Sequence, residues 1–133
     1  MKTKAVLSQT EVSQILAAAR AEAQKNQWAV SIAVVDDGGH PLALERLDGC
    51  AAIGAYIATE KARTSALGRR ESKGYEDMVN GGRSAFLSAP LLTSLEGGVP
   101  VIVDGEVVGA VGVSGVKADQ DAQVARAGAQ CLG

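Results

Sequence analysis

Large rings are nearly absent from this chain. One Trp, two Tyr and one Phe occur among 133 residues. The apolar mass is therefore Ala, Val and Leu, which calls for thin side-chain layers and closely approaching elements. Cysteine is scarce as well, with Cys50 and Cys131 alone. Two cysteines build no disulfide framework, and neither sits in a C-x-x-C pair. Both read as free thiols of a reducing compartment. His40 is the only histidine, and one histidine cannot build a zinc site. Long apolar runs are missing too. The basic start at Met1 resembles a signal peptide, but Ser8-Gln9-Thr10-Glu11 interrupts it after a few apolar residues. No apolar stretch approaches the length of a membrane span, so no membrane association and a cytoplasmic location are expected. The formal charge of −2 carries no strong basic excess, which argues against nucleic acid as a partner.

What is present reads as one domain over residues 1–133. A chain of this length buries roughly two-thirds of its unfolded surface and folds without metal or disulfide staples. Ser8 and Glu11 have capping-box spacing, with Leu7 and Val12 as the accompanying staple. Val12, Ile15, Leu16, Ala19 and Ala23 then form one helical stripe, ending near Asn26. Val30 to Val35 is apolar on both strand faces, as in a central strand covered on each side. Asp36-Asp37-Gly38-Gly39 turns the chain, and Leu42 to Leu47 returns as its hairpin partner.

A second helix is expected from Ala52 to Leu67. Its stripe of Ala51, Ala55, Ala58, Ala62 and Ala66 invites close approach, and Gly68 is placed as its C-terminal cap. Residues 69–96 are the least regular. A short helix is expected over Tyr75 to Val79 and a short strand over Leu91 to Leu95. Long irregular segments are often functional. Val99 to Val103 and Glu106 to Val113 flank Asp104-Gly105, a type I′ hairpin signal. An Ala-rich helix follows, from about Ala118 to Cys131. Strands in hairpins and separate helices define an α+β class, with a mainly antiparallel sheet of about five strands flanked by helices.

Chemistry has few carriers. Gly109-Ala110-Val111-Gly112-Val113-Ser114-Gly115 is not the dinucleotide spacing, and Asp119 and Asp121 in the next helical turn would repel a phosphate. Close strand–helix packing and a tight turn are its plain reading. Gly97-Gly98-Val99-Pro100 either lets a ligand approach the backbone or simply turns the chain. Lys61 follows Ile53 and Ile57 on one ridge, so its stem lies on or beside an apolar face. Glu60 and Lys61 are either an ordinary exposed pair or part of an anion site. Five bases lie between Lys61 and Lys73, and if Arg83 joins them a carboxylate pocket results. His40 is a solvated turn residue or a metal or haem ligand. No Ser-His-Asp order or metal-ligand cluster is visible.

Ser31 to His40, Glu60-Lys61-Ala62-Arg63-Thr64, Gly97 to Pro100 and Gly109 to Gly115 occur in an order that resembles the GlcG/HbpS family over nearly the whole chain. The resemblance implies a profilin-like layered domain that forms homo-oligomers. It implies an accessory role in glycolate utilisation, as an oligomeric module for a small anionic ligand, with haem as the candidate cofactor. Family relatives include haem-binding proteins, proteins labelled haem-degrading and the C-terminal domain of a corrinoid adenosyltransferase. The residues expected at the ligand are Lys61, Glu60, Arg83, Gly97, Gly98, Val99 and Pro100, with His40 as the haem-ligand candidate. Two alternatives stand beside this reading: an enzyme on a small hydroxy- or oxo-acid using Lys61 and Glu60, and a non-catalytic partner of glycolate oxidase.

Overall fold

The computed structural model describes residues 1–133. Helix α1 spans Gln9–Lys25. The Glu11 carboxylate accepts the Ser8 backbone N–H at 2.9 Å, which satisfies one orphan donor at the helix start. Val12, Ile15, Ala19 and Ala23 are buried, as the stripe requires.

Strands β1 (Ser31–Asp36) and β2 (Pro41–Arg46) form the first hairpin. Helix α2 covers Ile53–Gly68 and α3 covers Lys73–Asn80. A 3-10 turn at Ser84–Ser88 follows. Strands β3 (Gly98–Val103) and β4 (Glu106–Ser114) form the second hairpin, and α4 (Ala118–Ala129) ends the fold. Asp104 and Gly105 both have positive φ, 51° and 77°, as a type I′ turn demands.

The sheet has four strands in the order β2-β1-β4-β3, and every neighbouring pair is antiparallel. The expectation of about five strands is corrected here. Leu91–Leu95 forms no strand: Leu91 takes φ 61°, Pro90 lacks an N–H, and the Thr93 N–H donates to Thr64 Oγ1 at 2.8 Å instead of to a ladder. Gly68 is also not the left-handed cap. Arg69 takes that role with φ 56°, and the bare Gly68 makes room for the Tyr75 ring.

β1 is covered on both faces. Val30, Ile32 and Val34 join Val12, Ile15, Val124 and Ala125 in the larger core, between the sheet and the α1–α4 layer. Ala33 and Val35 face the other way, against Ala58, Ala62 and Ala66 of α2. The register explains how closely α2 sits. Ala33 pairs with Gly112, and Gly112 pairs with Gly98, so this row carries a single methyl group across β1, β4 and β3. A Cβ at Gly112 would collide with the Ala58 carbonyl oxygen, and one at Gly98 with that of Lys61. The alanine stripe and the glycine row are two halves of one contact.

No helix is long and apolar enough to cross a membrane. Cys50 is half-buried, Cys131 is exposed, and neither is paired.

Gly112→Ala is expected to lower the unfolding free energy by about 3 kcal/mol or to prevent folding, because the backbone of α2 has nowhere to retreat. Urea denaturation of the variant measures it.

Candidate functional site

Lys61 sits between Ala58 and Ala62 on the inward face of α2, so its stem enters the protein. A buried ammonium must be paired. Its Nζ donates to the Val113 carbonyl and to Asp121 Oδ2, each at 3.0 Å. Both charged side chains are 4% exposed. Asp121 accepts the Val116 N–H through its other oxygen at 3.1 Å, which fixes it in the first turn of α4. Burial pushes the Asp121 carboxyl above its ordinary range, while the charge and hydrogen bond of Lys61 pull it back.

The paired glycines serve this ion pair. Gly97 has φ 133°, and a Cβ there would lie 2.8 Å from Lys61 Nζ. Ser72 closes the neighbouring corner: its hydroxyl donates to the Leu95 carbonyl at 2.5 Å and accepts the Gly98 N–H at 2.8 Å. Lys61, Gly97, Gly98 and Val99 are all buried, and none of them borders a cavity. Arg83 takes no part in these contacts. Its guanidinium lies on the surface, 5.0 Å above the Phe86 ring. Pro100 borders a small surface depression near Ala129 and Leu132. The expected carboxylate pocket at the glycine turn is therefore replaced by solid packing. The bases that were to line it are dispersed: Arg63 pairs with Glu60, Lys73 with Asp77, and Arg70 covers the Tyr75 ring.

An open groove lies elsewhere, between the edge strand β2 and the outer face of α2. Its volume is about 580 Å³, within the range of small-molecule sites. Leu44, Ala52, Ala55 and Tyr56 supply its apolar wall, while Arg46, Arg63, Glu60 and Thr59 supply the polar part. Glu60 is the one expected site residue that borders it. Arg63 donates to Glu60 at 2.5 Å, so that guanidinium is held by its helix neighbour. Arg46 has no such partner among the ion pairs.

The turn with His40 adjoins the groove through Arg63. Gly39 has φ 78°, and a Cβ there would lie 2.8 Å from Arg63 Cγ. Asp36 Oδ1 accepts the Gly38 and His40 N–H groups at 2.9 Å each, and meets His40 Nδ1 at 3.0 Å. Burial alone would raise the Asp36 carboxyl, but these hydrogen bonds together hold it below its usual range. An ionised carboxylate only accepts, so Nδ1 is the donor in this contact. The His40 side chain is 78% exposed, which leaves Nε2 open.

These features define a layered α+β domain with an apolar groove beside an edge strand and a carboxylate-oriented histidine next to it. Residues 7–130 match the model of the HbpS-like family, described as haem degrading protein HbpS-like, and the chain belongs to that family. It is 72% identical over 114 residues to Protein GlcG of Escherichia coli (strain K12), which covers 86% of this chain and 85% of that protein. Among solved structures, the Streptomyces reticuli HbpS double mutant matches with TM-score 0.90 and 30% identity, over 100% of this chain and 91% of that one. The PduOC:Heme complex matches with TM-score 0.85 and 25% identity, over 96% and 95% of the two chains.

Breaking the buried pair and breaking the surface pair should separate sharply. Lys61→Ala is expected to cost about 3–5 kcal/mol, because Asp121 is left charged and unpaired inside. Arg63→Ala is expected to cost less than about 1 kcal/mol, the range of solvent-exposed pairs. Chemical denaturation at neutral pH compares the two.

Proposed function

We propose that this chain is a non-catalytic ligand-binding module of glycolate utilisation that takes haem in the groove between β2 and α2. One observation carries the reading. The groove combines an apolar wall with two guanidinium side chains, Arg46 and Arg63, beside the Asp36–His40 pair. A planar apolar macrocycle with carboxylate substituents needs those three things: an apolar surface, cations for its carboxylates and an axial ligand. The 72% identity to Protein GlcG, the family description and the likeness to the PduOC:Heme complex all support it.

Leu44, Ala55 and Tyr56 would hold the macrocycle face. Arg46 and Arg63 would hold the carboxylates. His40 would offer Nε2 to the iron, with Asp36 fixing the ring's tautomer and raising its basicity. Bound haem supplies a redox-active iron centre. The groove is open to solvent, and its rim is apolar: Leu44, Ile53 and Tyr56 are 51%, 64% and 76% exposed. That rim supports assembly of several copies, with a neighbouring subunit covering the ligand.

Titration with hemin tests the proposal. The expected result is a saturable Soret shift at micromolar protein. His40→Ala should move the Soret position, and Arg46→Ala should weaken binding about tenfold. A titration with no saturable shift removes haem as the ligand. A full shift that ignores all three substitutions, Arg63→Ala included, removes the groove as its site.

A further inference from the structure

A second cleft lies on the other side of β2, where α1 ends. Its volume is about 500 Å³, and Arg20, Gln24, Gln27, Trp28, Arg46 and Asp48 contribute to its lining. The α1 terminus shapes it. Gln27 follows the Asn26 cap with φ 58°, and its N–H donates to the Gln24 carbonyl at 3.1 Å. The Trp28 N–H then closes back on the Ala23 carbonyl at 2.9 Å. Trp28 is half-buried and packs on the larger core, so the indole is anchored at the cleft wall.

Charges at the cleft divide into used and unused. The Arg20 guanidinium donates to both Glu45 oxygens, with the second bond at 2.8 Å, and holds Glu45 below the usual carboxylate range. That pair is internally neutralised. By contrast, Gln24, Gln27, Trp28, Arg46 and Asp48 use no side-chain polar atom in any intramolecular hydrogen bond or ion pair. Five unused polar groups, from the end of α1 and the end of β2 and the residues just beyond each, thus meet at one cleft.

Their chemistry selects a ligand class. Two amides and a carboxylate offer donors and acceptors in alternation, which suits hydroxyl groups that both give and receive hydrogen bonds. Arg46 is the one unmatched cation and suits a carboxylate. The indole adds an apolar surface for C–H groups. A monosaccharide-sized ligand falls within the capacity of such a cleft.

We propose that this cleft is a binding site for a polyhydroxylated carboxylate of monosaccharide size, a sugar acid, which shares Arg46 with the groove assigned to haem. Arg46 takes the carboxylate, and Gln24, Gln27 and Asp48 take the hydroxyls.

Isothermal titration calorimetry with gluconate, glucose and glycolate tests it. Gluconate is expected to bind saturably, and both glucose and glycolate more weakly by about tenfold or more, since each lacks half of the recognised chemistry. Gln24→Ala and Asp48→Ala should each weaken gluconate about tenfold and leave the hemin titration unchanged. Arg63→Ala should do the reverse, and Arg46→Ala should weaken both ligands, since its guanidinium borders both openings. Absence of saturable heat at ~10 mM gluconate overturns the proposal. Equal binding of glucose and gluconate, or gluconate binding indifferent to both cleft substitutions, overturns it as well.

Discussion

The close docking of α2 on a row of glycines, with Lys61 reaching Asp121 through the gap at Gly97, is the constraint on which the rest of the fold depends. Helices α2 and α4 lie on opposite faces of the sheet, and the ion pair joins them past the point where β3 begins. That passage exists because Gly97 has no side chain to fill it. The same neighbourhood is sewn by the Val113 N–H, which donates to the Gly97 carbonyl at 3.0 Å. Charge burial is costly unless every lobe is satisfied, and here no buried side-chain N or O atom lacks a partner. Specificity of assembly follows: α2 can dock in one register only, with its lysine at the glycine gap and its alanines on the glycine row.

That constraint decides where a ligand can go. The cation that looked most available in sequence is consumed in the interior, and the glycines that looked like a ligand approach are spaces for protein atoms. Openness is left to the other edge of the sheet. β2 has one strand neighbour, and its exposed side borders a groove on the α2 side and a cleft on the α1 side. Arg46 borders both. A tightly packed half of the sheet thus carries an open edge.

Much of the fold was legible because its signals are local. The Ser8–Glu11 cap, the α1 stripe, the two-faced β1 and the Asp104-Gly105 turn each involve residues a few positions apart, and each appears where the residues place it. Leu91–Leu95 misled because apolar composition alone does not say where backbone donors go; a side-chain hydroxyl from α2 took the Thr93 N–H. The site was harder. The Ile53-Ile57-Lys61 ridge pointed to the wrong neighbours, since Ile53 is exposed and Lys61 is buried beside Ala58 and Ala62; its partner Asp121 lies 60 residues on, and no spacing rule connects them. The groove is a meeting of β2 with α2, a tertiary contact that no local spacing in either element announces. His40 was visible as a residue, but its orientation by Asp36 is a property of the folded turn.

Separating scaffold from site needs one variant above all: Lys61→Met combined with Asp121→Leu, tested for hemin binding after its fold is verified by circular dichroism. Replacing a buried ion pair by packed apolar side chains is often neutral or stabilising, so the protein should fold. Hemin affinity within about threefold of the wild type is the expected result, because neither residue borders the groove. A folded double variant that no longer binds hemin would contradict the assignment and return Lys61 to the ligand.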